Sequence, residues 1–121
     1  KVQMNIKDST FLVTGGSAGI GKATAKLLIE KGGKVAITGR DKSKLEKVAK
    51  EIGAFPIHAD VAVENDVHKT YELFLKQFGK LDCLINNAGI GDTWNEIAEL
   101  DMKSFHKVYD VNVDHALQQS P

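Results

Sequence analysis

The sequence predicts an α/β fold organised as a doubly wound parallel sheet, and three observations carry that prediction. Short apolar runs rich in Val, Ile, Leu and Phe alternate with longer stretches of helical periodicity. The runs last about four to six residues with no polar alternation, as strands covered on both faces do. A glycine-rich turn stands directly between the first run and the first helical stretch.

Taken in order, the strands are expected over residues 10–14, 34–38, 55–59 and 81–86. The first helix opens on the glycine turn and carries Ile20, Ala23, Leu27 and Leu28. Leu45, Val48, Ala49 and Ile52 mark a face of the second helix, and Val67, Tyr71, Phe74, Leu75 and Phe78 a face of the third, at spacings of three and four. Gly32-Gly33, Gly53 and Gly79 follow these helices, where a left-handed cap suits glycine. A last helical pattern, Phe105, Val108, Tyr109, Asn112 and Ala116, begins after Asp101 and runs to the end of the chain. The doubly wound order places the strands 3-2-1-4. Residues 1–121 thus read as one domain, with no repeat or linker. A start on Lys1 and an uncapped end at Gln118-Gln119-Ser120-Pro121 lead us to expect a piece that stops before a fifth strand. On that expectation residues 81–86 form a bare apolar edge and the chain self-associates.

Composition narrows the partners. Lys plus Arg equals Asp plus Glu at 16 each, so no general field draws the chain to nucleic acid or anionic lipid. No apolar stretch approaches the roughly 20 residues of a membrane span, and the first residues lack a signal-peptide core, so a cytoplasmic location is expected. The single Cys83 lies in an apolar run and reads as core. His58, His68, His106 and His115 show no ligand spacing, so no metal is expected. Trp94 either borders a substrate or packs.

The segment Thr14-Gly15-Gly16-Ser17-Ala18-Gly19-Ile20-Gly21 carries the chemistry. Where a strand turns into a helix, such glycines allow a tight turn, a close backbone approach to a pyrophosphate, and tight helix–strand packing. The helix N-terminus presents free N–H groups to the phosphates. Gly16, Gly21 and Lys22 also fit the start of a nucleoside-triphosphate loop. That reading wants a Ser or Thr hydroxyl for Mg²⁺ next, where Ala23 stands, and an Asp after the fourth strand, where Asn86-Asn87 stand.

The chain resembles the short-chain dehydrogenase/reductase family at four places in the correct order. These are the T-G-x-x-x-G-x-G of Thr14 to Gly21, the acid at Asp60-Val61, the N-N-A-G of Asn86-Asn87-Ala88-Gly89, and Asn112 in Val111-Asn112-Val113. The resemblance implies a Rossmann fold, of which this chain is the N-terminal part, and a nicotinamide dinucleotide as cofactor. It implies binding by Gly15, Ser17, Ala18, Gly19, Ile20 and Gly21 of the turn. Asp60 would accept the adenine amino group, with the Val61 backbone against the ring, and Asn87, Ala88 and Gly89 would line the nicotinamide ribose side. Asn112 would belong to the catalytic set, on a helix that packs in a homo-oligomer interface. For Asp60 the other reading is a helix cap.

Cofactor choice turns on the end of the second strand. In NAD-selective relatives an acid stands there to bond the ribose hydroxyls; here it is Gly39, followed by Arg40, whose guanidinium can fork onto a 2′-phosphate. NADP is favoured and NAD stays open, because Asp41 either caps a helix or reaches the ribose. In the family a tyrosine, a lysine four residues on, a serine and the helix asparagine pass hydride between nicotinamide and a small carbonyl or alcohol substrate. Tyr71 precedes Lys76 by five and Tyr109 precedes Val113 by four, so neither makes Y-x-x-x-K. An oxidoreductase's cofactor half is the main expectation, and a non-catalytic nucleotide-binding or interaction module is the alternative.

Overall fold

The computed structural model describes residues 5–60, 63–87, 94, 96–97 and 105–110, the last six as backbone. The elements are β1 (Thr10–Thr14), α1 (Gly19–Glu30), β2 (Lys34–Gly39), α2 (Lys42–Ile52), β3 (Phe55–His58), α3 (Glu64–Phe78), β4 (Leu81–Asn86) and β5 (Phe105–Asp110). The strands pair in parallel in one sheet ordered β3-β2-β1-β4-β5. The four expected strands and their order 3-2-1-4 are present. β2 gains one residue and β3 loses one against the sequence reading.

Alternation along the strands divides the core between the two sheet faces. Leu12, Ala36, Ile57 and Leu84 pack with Val67 and Phe74 of α3. Phe11, Val13, Val35 and Ile37 pack with Ala25 and Leu28 of α1 and with Leu45 of α2. Both faces are covered, which is why the strands read as unbroken apolar runs. Gly53 and Gly79 take the left-handed caps of α2 and α3, as expected. In α1 the buried residues are Gly21, Ala25 and Leu28, while Ile20 and Leu27 face solvent. Cys83 is buried among the core residues. Trp94 is fully buried in the core cluster that α3 packs into, which supports the packing reading of this residue.

β5 corrects the sequence reading in two respects. Residues 105–110 form a strand where helix was expected, and the sheet does not stop at β4. Within six residues the spacing of Phe105, Val108 and Tyr109 suits a strand as well as a helix. What decides is the ladder: the register runs from Leu81↔Phe105 to Asn86↔Asp110, giving partners to backbone groups that β4 would otherwise leave bare. β4 is therefore interior, and self-association through a bare β4 edge loses its ground. The edge strand β3 carries Pro56, whose missing N–H blunts pairing with another chain. The rest of the expected final helix lies outside the described residues.

At the N-terminal end of β4, the Asp82 carboxylate accepts hydrogen bonds from Thr10 N at 2.9 Å and Thr10 Oγ1 at 3.3 Å and pairs with Lys80 Nζ at 3.2 Å. Burial alone would raise its pKa, but the Thr10 backbone bond and the Lys80 ammonium outweigh burial and hold the carboxyl below its ordinary value. A depressed acid stabilises the fold above its unfolded pKa of about 4, and the contribution is lost as pH falls below that. Asp82→Asn should cost about 1–3 kcal/mol at neutral pH. Urea midpoints measured from pH 7 down to pH 3 check this: the gap between the two proteins should narrow below about pH 4.

Candidate dinucleotide site

The C-terminal ends of β1, β2 and β4 converge where the sheet order reverses, the place a doubly wound fold opens a crevice. The glycine turn leaves β1 there. Thr38 at the end of β2 holds it, accepting Gly15 N on Oγ1 at 3.1 Å and Gly16 N on its carbonyl at 3.0 Å. From the other side, Asn87 Nδ2 donates to the Gly15 carbonyl at 3.4 Å. Thr14 Oγ1 donates to Asn86 Oδ1 and accepts Asn87 N, both at 2.9 Å. The two asparagines thus clamp β4 to the mouth of β1. Asn86 is fully buried, and its Nδ2 has no hydrogen-bond partner among the described residues.

α1 begins at Gly19 with Ala18 as N-cap, and Ala18 offers no side chain to its N–H groups. No acid stands in its first turn, so the partial positive charge of the helix end is uncompensated. Gly19 has φ +56°, with no described residue within 4 Å of the position a Cβ would take, so its backbone is open to approach from the described part of the chain. Gly21 is the opposite case: a Cβ would strike the Gly15 carbonyl oxygen and lie 2.8 Å from Asn87 Nδ2. An uncapped helix end, an open glycine and a turn gripped from both sides fit the pyrophosphate of a dinucleotide. They fit a triphosphate with Mg²⁺ less well, because Lys22 points away to Glu51 of α2, Nζ to Oε1 3.7 Å.

Arg40 is exposed at the exit of β2. Asp41 Oδ1 accepts Lys44 N at 3.2 Å and caps α2, as the first of its two readings expects. A side chain on Gly39 would sit 3.2 Å from Ser17 Oγ and 3.3 Å from Leu45 Cδ1, which crowds the place where an acid stands in NAD-selective relatives. Asp60, half-buried after β3, is not the cap of α3, since Val63 holds that position. Its backbone N–H donates to Asp66 Oδ2 at 2.9 Å, and its carbonyl accepts Val63 N at 2.9 Å. Val61, Ala88, Gly89 and Asn112 lie outside the described residues.

Sequence reasoning singled out none of Thr38, Asp66 and His58, each of which bonds to a candidate site residue. His58 Nε2 lies 2.8 Å from the Arg40 carbonyl. Thr38 and His58 had a signal in their places at strand ends next to the glycine turn and to Arg40. Asp66 had one in its place in the first turn of α3, six residues after Asp60. Among the described residues no group of three His, Cys, Asp or Glu stands together as a metal site, and no helix is long and apolar enough to cross a membrane.

Comparison with known proteins agrees with this geometry. The chain is 37% identical over 116 residues to zerumbone synthase of Zingiber zerumbet, covering 92% of this chain and 43% of that protein. It is 40% identical over 114 residues to xanthoxin dehydrogenase of Arabidopsis thaliana, covering 87% and 40%. Among solved structures it is similar to 3-ketoacyl-(acyl-carrier-protein) reductase from Brucella melitensis complexed with NADH, at TM-score 0.66 and 34% identity, covering 82% of this chain and 46% of that one. The chain therefore spans less than half the length of these relatives. The short chain dehydrogenase family model matches residues 9–120, and with the glycine turn, the Asn86-Asn87 clamp and the strand order all in place, the chain belongs to the short-chain dehydrogenase/reductase family of oxidoreductases.

Proposed function

We propose that the chain is the cofactor-binding half of an oxidoreductase that prefers NADP to NAD and serves hydride transfer to or from a small carbonyl or alcohol. The observation that carries this reading is the uncapped N-terminus of α1 opening on the gripped glycine turn, with Arg40 beside it at the end of β2. The turn from Gly15 to Gly21 would hold the pyrophosphate through the backbone N–H groups that Thr38 does not take, those of Gly15 and Gly16 being engaged. Arg40 would take the 2′-phosphate, Asp60 and Val61 the adenine, and Asn87, Ala88 and Gly89 the nicotinamide ribose side. When bound, the nicotinamide supplies the hydride donor or acceptor. Asn112 would join the catalytic set, and the chain itself holds no Y-x-x-x-K to protonate a substrate oxygen.

The NADH in the Brucella melitensis relative supports a nicotinamide dinucleotide. Gly39, Arg40 and the engaged Asp41 support the 2′-phosphorylated form. Isothermal titration with NADPH and NADH tests the reading: NADPH should bind about tenfold or more tighter, the worth of one charged hydrogen bond. Equal affinities would remove the preference, and no binding of either would remove the site. An NADPH oxidation assay over a panel of ketones and aldehydes should show no turnover by this chain. Turnover above the buffer rate would mean that another residue does the tyrosine's work.

A further inference from the structure

The carbonyl of Arg40 would ordinarily be claimed by the N–H of Lys44 if helix geometry extended one residue back. It is not, because Asp41 Oδ1 takes that N–H at 3.2 Å. The freed carbonyl meets the imidazole of His58, with Nε2 at 2.8 Å. A carbonyl oxygen only accepts, so Nε2 must carry the hydrogen and donate it. One residue earlier, the Gly39 carbonyl accepts Ala59 N at 3.1 Å. Two successive carbonyls flanking the Arg40 side chain are thus tied to the end of the edge strand β3, where the register sets Gly39 opposite His58. Among the described residues Arg40 itself has no ion-pair partner to aim it. The direction of its side chain is left to its backbone, and the His58 bond sets the peptide plane that follows it.

We propose that His58 is a positioning residue for 2′-phosphate recognition, acting through Arg40: its imidazole holds the β2–α2 turn so that the guanidinium is aimed before the cofactor arrives. This inference rests on the reading of Arg40 as the phosphate-binding residue. It makes cofactor selectivity depend on a side chain that touches no cofactor.

The test compares adenosine 2′,5′-bisphosphate with adenosine 5′-monophosphate, which differ only in the group at issue, by titration calorimetry on the unmodified protein and its variants. His58→Ala should weaken the bisphosphate by about three- to tenfold, the worth of one neutral hydrogen bond. The monophosphate should change less than about twofold, and His58→Gln, which keeps an amide donor, should recover part of the loss. In an Arg40→Ala background, His58→Ala should add nothing further. Equal weakening of both nucleotides would overturn the proposal in favour of a merely structural role. Additive losses in the double variant would overturn it in favour of an action that bypasses Arg40. If Arg40→Ala alone leaves the bisphosphate unchanged, the cofactor reading fails and this inference with it. That failure shows in the Arg40 arm, whereas failure of the His58 link alone shows only in the His58 arms.

Discussion

Replacing Arg40 with alanine is expected to weaken NADPH by about 10- to 100-fold and to leave NADH within about threefold. The guanidinium stands at the exit of β2, with the neighbouring acid engaged: Asp41 caps α2. A charged hydrogen bond to phosphate is worth about 1.5–3 kcal/mol, and solvent exposure of Arg40 argues for the lower part of that range. Arg40→Lys should recover only part of the loss, since an ammonium cannot fork onto two phosphate oxygens. Gly39→Asp is the converse experiment. A carboxylate there faces the same phosphate with like charge and must press toward Ser17 and Leu45, so NADPH should weaken while NADH holds or gains. Calorimetric titration with both dinucleotides checks each variant. An Arg40→Ala protein that loses both cofactors equally would show that the arginine supports the turn and does not read the phosphate.

Gly21→Ala should do more damage than any change at the turn's open side. The added methyl would strike the Gly15 carbonyl oxygen, a backbone atom that cannot swing aside, and crowd Asn87 Nδ2 at 2.8 Å. Overpacking of this kind costs about 1–3 kcal/mol, and for a domain of this size it should lower Tm by roughly 10–20 °C at the upper end. The strain lands on the Gly15 peptide, whose N–H is held by Thr38 and whose carbonyl is held by Asn87. Both NADPH and NADH should therefore weaken by about tenfold or more, by the cost of a displaced donor. Gly19→Ala is the control. Among the described residues nothing lies within 4 Å of its added methyl, so the opposition comes from the positive φ of +56°, at about 1–2 kcal/mol. Thermal melts and cofactor titrations should separate the two, with Gly21→Ala the more severe in both. Equal effects would mean that backbone conformation, and not the close approach of helix to strand, makes this turn.

The parts of the fold whose signal is local could be read from neighbouring residues alone. β1, β2 and β4 announced themselves as short, largely apolar runs, because a strand buried on both faces has little polar side to show, and the edge strand β3 as a shorter run in which only Ile57 is buried. The stripes of α2 and α3 declared their buried faces by spacing alone, and the glycine turn declared its place by standing between strand and helix. Whatever depended on a partner distant in the chain took shape only in the assembled sheet. Residues 105–110 carry a spacing that suits helix or strand, and only the unclaimed backbone groups of β4, some twenty residues back, settle the matter. That Asp41 caps α2 became plain only when its carboxylate was set against Lys44 N. Asp60 lost its reading as a cap to Val63. The Asn86-Asn87 pair became a clamp only when the parallel register set Thr14 beside Asn86. His58, which carried no motif, came to Arg40 because β3 pairs with β2 and ends where Gly39 does. Periodicity and turn chemistry are written in neighbouring residues, whereas a hydrogen bond across strands exists only after the sheet has chosen its order, and most of the positioning in this site is done by bonds of that second kind.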